Sequence, residues 1–323
     1  MNLVKLQLTT LGTLTLLIAL STIFFAIILS FIGITDLMSL VGLTIIFNVG
    51  QWLFAPYMIN SMYKVEEVSG SDSAGLRSMV ERLSQKIGLN TPKVMLANMA
   101  IPNAFAYGSP IAGSRVAVTT GLLKELESEE VEAVLGHELG HLKNKDVQTM
   151  MLASVMPAIF YFIGNSMMMS SYYGGTQDKE SRGGGAVLIG MASMAIYYVF
   201  NLLVLGLSRL REYYADQRSA SVVDDGARKL SEALAKIVSS SSKIKLQRQA
   251  PGSLNSFKAL FIDDPDSATR DQLAISNTRM FKADQQLVQE ILSKKVTATD
   301  QLMELFSTHP NIVKRLQALQ KSS

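Results

Sequence analysis

The sequence predicts a mainly α-helical membrane protein with a small β-sheet, in which a globular portion is joined to four transmembrane helices. Three observations lead there. Four long stretches contain no charged residue, most of the intervening chain has apolar residues at helical spacing, and two short runs show the β-branched alternation of strands. The composition agrees: 48% of residues are hydrophobic, only 18% are charged, and the mean hydropathy is +0.23.

Taken in order, residues 1–63 form a helical hairpin. No charge occurs between Lys5 and Asp36, and the run at about 8–34 exceeds the roughly 20 apolar residues that cross a bilayer. A secretory signal would have an apolar region of about 7–15 residues and then a small-residue cleavage site, which this run does not match. A second span at about 37–60 follows the "TD" turn, with Trp52 and Tyr57 placed as interfacial aromatics. Pro56, near its end, is tolerated in or beside a membrane helix.

Residues 64–149 read as the first part of a globular domain. "SAGLRSMVERLSQKIGL" is a helix stopped by Gly88; "KVMLANM" and "SRVAVTTGLL" are strands, with "NAFAYGSP" and "IAG" between them. "SEEVEAVLGHELGHLKN" is a helix with Ser128 as N-cap, Glu129 and Glu130 in its first turn, and Lys143 and Lys145 at its end. Residues 150–208 are a second membrane pair, Met150–Met169 and Ala186–Ser208, around a Gly-rich loop at about 171–185. Pro157, Gly164 and Asn165 interrupt the first member. Residues 209–323 complete the globular domain and are mainly helical, with a Ser-rich break at Ser239–Ser242 and a loop-like "DDPDSATRD"; mobility is expected from about Ser239 to Ala283.

Several functions are excluded by what is scarce. A net charge of +3 without a basic stripe argues against a nucleic-acid partner. Zero cysteines rule out disulfides and thiolate metal sites, so any metal must be held by His, Asp or Glu. Apolar spans without ionisable residues are poor candidates for a solute or ion path.

The densest chemistry lies in "VLGHELGHLKNKD", Val134–Asp146, which holds two of the three histidines. On a helix, His137 and His141 project from one face and converge on one ion, with Glu138 beside them. Two imidazole ligands, an open position and a carboxylate that takes a proton from water make the arrangement of a zinc hydrolase. With so few histidines, a chance HExxH is on the order of one in several hundred.

A catalytic zinc usually has a third protein ligand. The residues leave two sources open: His309, the remaining histidine, or a carboxylate. "SRLREYYADQRSA" offers Glu212, with Asp216 one turn on and able to hydrogen-bond the outer nitrogen of a ligand histidine. Glu138 and Glu212 can share a site only if an even number of spans separates them; the second membrane pair supplies two, or none if both segments are merely surface-bound.

The combined pattern resembles the integral-membrane zinc metallopeptidases of the HtpX type, heat-shock-associated proteases related to the CAAX prenyl proteases. The resemblance runs through the N-terminal hairpin, "NAFA", "HELGH", the second membrane pair, "SRLREYYAD" and the late "HPN" with its arginine. It implies a gluzincin-type zinc metallopeptidase domain with one Zn2+ per chain, held by His137, His141 and Glu212. Glu138 would be base and proton shuttle, and Asp216 would stand behind His137. His309 would hydrogen-bond the oxyanion, and Arg315 matches the family's late arginine. Asn103, Ala104, Phe105 and Ala106 would form an edge strand that pairs with an extended substrate. Where the family often has "HPP", this chain has "HPN".

The same resemblance implies a quality-control endopeptidase in the bacterial inner (plasma) membrane. Its substrates would be unfolded or damaged membrane proteins, and its partners the lipid bilayer and other membrane proteases or chaperones. Lys64, Lys143, Lys145, Arg209 and Arg211 flank the catalytic side, against Lys179 and Arg182 in the opposite loop. The positive-inside rule therefore places the catalytic domain in the cytoplasm. Two other readings compete: a processing protease for one defined membrane or lipidated substrate, and a membrane scaffold with structural zinc.

Overall fold

The computed structural model describes residues 49–50, 53–61, 63–68, 75–173, 183–247 and 284–321. The first expected span, most of the second, the tip of the Gly-rich loop and "DDPDSATRD" lie outside the described residues, as does most of the segment expected to be mobile. The chain divides into two compact units, Leu53–Val147 with Ser208–Ser323, and Met1–Trp52 with Gln148–Leu207.

In the first of these units a four-stranded sheet is ordered β1-β2-β4-β3, built from β1 (Val65–Glu67), β2 (Lys93–Ala97), β3 (Ala104–Ser109) and β4 (Gly113–Thr119). β2 and β4 run parallel, while β1 and β3 pair antiparallel at the edges. Period-2 alternation sends Val94, Ala104, Val116 and Val118 into the main helical core. Met95, Ala97, Phe105, Tyr107 and Ala117 turn to the other face, where they pack with Ile59 and Tyr63.

The strand expected over "SRVAVTTGLL" ends earlier than its apolar pattern suggests. Thr119 takes extended angles and its Oγ1 accepts from Leu122 N at 3.1 Å, so Thr120–Glu125 becomes helix α2. "NAFAYGSP", read by residue pattern as a connection, is largely strand β3.

Helix α1 (Leu76–Ile87) buries Val80 and Leu83 and stops where Gly88 adopts a left-handed φ of 62°. α3 (Ser128–Lys143) carries the HELGH motif and packs against α1, β3, β4 and α6 (Gly226–Gln247). The remaining short helices, α7 (Asp284–Leu292), α8 (Ala298–Leu305) and α9 (Ile312–Gln320), close the domain, with α7 and α9 joining the same core. The Ser-rich break is absent: α6 runs through Ser239–Ser242. Serine is a middling helix former, and burial of Leu230, Leu234, Ile237 and Val238 along one face decides the outcome.

In the other unit, residues 148–173 of α4 (Asp146–Tyr173) and 183–207 of α5 (Gly183–Val222) supply the apolar pair, while 146–147 and 208–222 of these helices belong to the first unit. α4 continues through Pro157, which the sequence marked as an interruption. Gly164 is there for close approach: a Cβ on it would stand 2.9 Å from Met194 Cγ and 3.1 Å from Gly190 O. Phe160 and Phe200 meet edge-on with ring centroids 5.0 Å apart. Among the described residues one helical stretch, Val187–Val222, is long and apolar enough to cross a membrane. Leu188, Met191, Tyr198 and Val199 on it are exposed.

Candidate active site

The site begins with the start of α3. Glu127, not Ser128, is the N-cap: it has extended angles, and its N–H donates to Glu130 Oε2 at 2.8 Å. The Glu at the third helical position reaches back one residue further than the Ser-based reading required. From there the helix carries His137 and His141 to one face, with their Nε2 atoms 3.1 Å apart and their rings at 87°.

Two glycines let a second helix approach this face. A Cβ on Gly136 would sit 3.1 Å from Ser219 Oγ, and one on Gly140 would sit 3.3 Å from Ala215 Cα. Ser219 Oγ donates to Ala133 O at 2.6 Å, pinning α5 to α3. This contact carries Glu212 and Asp216, one turn apart on α5, to the histidines. Glu212 Oε1 lies 3.3 Å from His141 Nε2, and its Oε2 lies 3.7 Å from His137 Nε2.

These three side chains fit a divalent metal. Their ligand atoms lie within 4.8 Å of one another, and the separations of 3.1, 3.3 and 3.7 Å surround one point. Tetrahedral ligands about 2.0–2.1 Å from a zinc ion would be separated by about 3.3–3.4 Å. Nitrogen and oxygen donors in a 2:1 ratio are a zinc-hydrolase set.

The surroundings fix each donor. His137 Nδ1 is 2.8 Å from Asp216 Oδ1, and Arg315, fully buried, clamps the same carboxylate through Nε at 2.9 Å and Nη2 at 2.6 Å. Arg315 Nη1 also reaches within 3.3 Å of Glu212 Oε2, and His309 Nδ1 lies 3.1 Å from that oxygen. Burial opposes ionisation of Glu212, but His309, His141 and Arg315 outweigh it and hold the carboxyl well below its usual range. Burial likewise works against the Asp216 carboxylate, and Arg315 and His137 again win, lowering its pKa. The departure from "HPP" has a local cause, since Asn311 is the N-cap of α9 and accepts from Val313 N at 2.9 Å.

Glu138 is buried on α3 beside His137. Asn103 precedes β3 and exchanges hydrogen bonds with Thr119, donating to Oγ1 and accepting from its N–H, both at 2.9 Å. β3 is one of the two edge strands and packs on α3. Phe105 turns its side chain away into the smaller core, against Tyr63 and Tyr107. Two residues outside the expected set also join the site: His141 Nδ1–H donates to Asp146 Oδ2 at 2.6 Å, and Arg211 Nη2 pairs with Asp146 Oδ1. Glu130, Glu232 and Asp284 form another carboxylate group, in which Lys236 Nζ bridges Glu130 and Asp284 at 2.8 and 3.0 Å.

The sequence pattern of peptidase family M48 matches residues 71–323. The chain belongs to that family. M48 relatives share its length: a "Protease HtpX homolog" of Thermoplasma acidophilum is 36% identical over 283 residues, 86% of this chain and 83% of the relative. "Protease HtpX homolog 2" of Saccharolobus solfataricus is 40% identical over 85% of this chain and 83% of its own. A "Protease HtpX homolog" of Aeropyrum pernix is also 40% identical, with 84% of this chain and 82% of the relative covered. The crystal structure of S. mikatae Ste24p shares the fold, with a TM-score of 0.54 and 18% identity over 98% of this chain and 66% of that one. This M48 chain is a membrane-bound metalloprotease.

Proposed function

We propose that the protein is a zinc-dependent endopeptidase that cleaves misfolded or damaged membrane proteins as part of a stress response. The reading is carried by the convergence of His137, His141 and Glu212 on one point, with Glu138 alongside. A bound zinc would supply Lewis acidity that activates water and polarises the scissile carbonyl. Glu138 takes the proton and returns it to the leaving amine. Asp216 and Arg315 hold His137 and Glu212 in place, and His309 donates to the oxyanion. The main chain of Asn103–Ala106 pairs with an extended substrate, which gives affinity with little sequence preference and suits varied unfolded chains. The chain crosses the plasma membrane four times, with the site on the cytoplasmic side.

The test is zinc content and casein cleavage for wild type and Glu138→Gln, both in detergent. Wild type is expected to bind one zinc and cleave; the variant keeps the zinc and loses about 10²–10⁴-fold in kcat. Equal cleavage by the variant would refute the assignment of the base. Profiling on unrelated unfolded membrane proteins addresses the substrate class, since cleavage confined to one defined motif would favour a processing enzyme.

A further inference from the structure

His137 and His141 differ in the sequence around them but are supported alike in space. Behind His137 stands Asp216, gripped by Arg315; behind His141 stands Asp146, gripped by Arg211. We propose that Asp146 and Arg211 are a second positioning pair for the metal centre, in which Asp146 sets the tautomer and ring plane of His141 and Arg211 anchors Asp146.

The geometry requires an unusual turn of the chain. On a continuous helix, a residue five positions after His141 would lie roughly 140° around the axis from it. Instead α3 is capped by Asn144, and Lys145 takes a left-handed φ of 56°, a conformation uncommon for lysine. The reversal opens α4 with Asp146 folded back, so that its Oδ2 accepts the Nδ1–H of His141 at 2.6 Å. With Nδ1 protonated, the lone pair of Nε2 is left for the ion, and the carboxylate makes that nitrogen more basic.

Arg211 adds the second argument. Its side chain is buried, yet its Nε and Nη1 have no hydrogen-bond partner among the described residues. A guanidinium taken out of water with Asp146 as its ion-pair partner is a weak device for stability. Its burial is accounted for by Asp146, whose second oxygen it occupies, leaving Oδ2 directed at His141. Arg211 adjoins Glu212 on α5, so one helix turn both presents the carboxylate donor and secures the opposite imidazole.

This inference builds on the zinc reading, and its test separates the two. Wild type, Asp146→Asn, Asp146→Ser and Arg211→Gln are purified in detergent, and zinc affinity is measured by competition with a chromophoric chelator. Cobalt absorption reports the coordination geometry, and circular dichroism reports folding. Asn and Ser both suit a helix start, so α4 keeps its first turn, whereas only Asp offers His141 a charged oxygen. Asp146→Ser is expected to weaken zinc binding about 10–100-fold and to shift the cobalt bands, with Asp146→Asn and Arg211→Gln intermediate. Unchanged affinity and cobalt spectrum in folded Asp146→Ser would overturn the proposal, even if its melting temperature fell. Should Asp146→Ser fail to fold, Arg211→Gln is read in the same way. A wild type that takes up no zinc would count against the metal centre itself.

Discussion

At the scale of single residues, the site is a set of buried charges that make sense only together. Glu212 touches His309, Arg315 and both ligand histidines, so the roles of these neighbours separate by what each loss does. Under the proposed mechanism, His309→Ala removes a donor to the oxyanion and leaves His137, His141 and Glu212 in place. Zinc content should therefore be retained while kcat falls about 10²–10³-fold and KM changes little. Loss of zinc in that variant would instead make His309 an orienter of Glu212. Arg315→Met leaves the Asp216 carboxylate buried without its clamp. An unfolding titration should show a loss of about 3–5 kcal/mol, and a change within about 0.5 kcal/mol would mean that Asp216 finds another partner.

At the scale of elements, the centre depends on how closely α3 and α5 approach. Gly136 and Gly140 are the intervening residues of "LGHELGH", and the stripe they form is where α5 lies. Gly140→Ala places a methyl 3.2–3.3 Å from Arg218 Cβ and Ala215 Cα, which a small shift relieves. Gly140→Leu cannot be relieved that way and would drive Glu212 from the histidines. Zinc stoichiometry measured beside helix content should thus show a modest loss for Ala and abolition for Leu; normal zinc in the Leu variant would dissociate helix approach from metal binding. The HExxH residues were legible because helical spacing alone brings His137 and His141 together. Glu212 was not, since its place depends on a contact 75 residues away in sequence, and residue pattern left it level with His309. Asp146 and Arg211 were illegible because the left-handed residue of the turn is Lys145 itself, while the neighbouring Asn144 stays right-handed. Ser239–Ser242 misled in the opposite way, with local propensity overridden by the buried face of α6.

At the scale of the whole molecule, the position of the site in the chain constrains how the chain meets the membrane. His137 and Glu212 stand in one centre, and the apolar stretches Met150–Met169 and Ala186–Ser208 lie between them in sequence. A pair that crosses must therefore cross twice. Three of the cations that bear on which side faces the cytoplasm are engaged within the protein. Arg211 is buried against Asp146, and Arg209 Nη1 donates to the carbonyls of Glu304 and Ser307 at 2.7 and 2.8 Å. Lys143 Nζ donates to Gly88 O at 2.8 Å, yet Lys64, Lys143 and Lys145 are all solvent-exposed on the catalytic side, which under the positive-inside rule supports the proposed cytoplasmic site on a smaller margin. Because the chain has no cysteine, a single Ser181→Cys substitution in the connecting loop gives an unambiguous reporter. In intact cells, a membrane-impermeant thiol reagent should label Cys at this position from outside, and a second single-cysteine variant, Lys295→Cys, only after lysis. Labelling of both only after lysis would mean that the apolar pair enters and leaves the bilayer on one face. The reverse pattern would invert the orientation while leaving the even crossing, and with it the shared site of His137 and Glu212, intact.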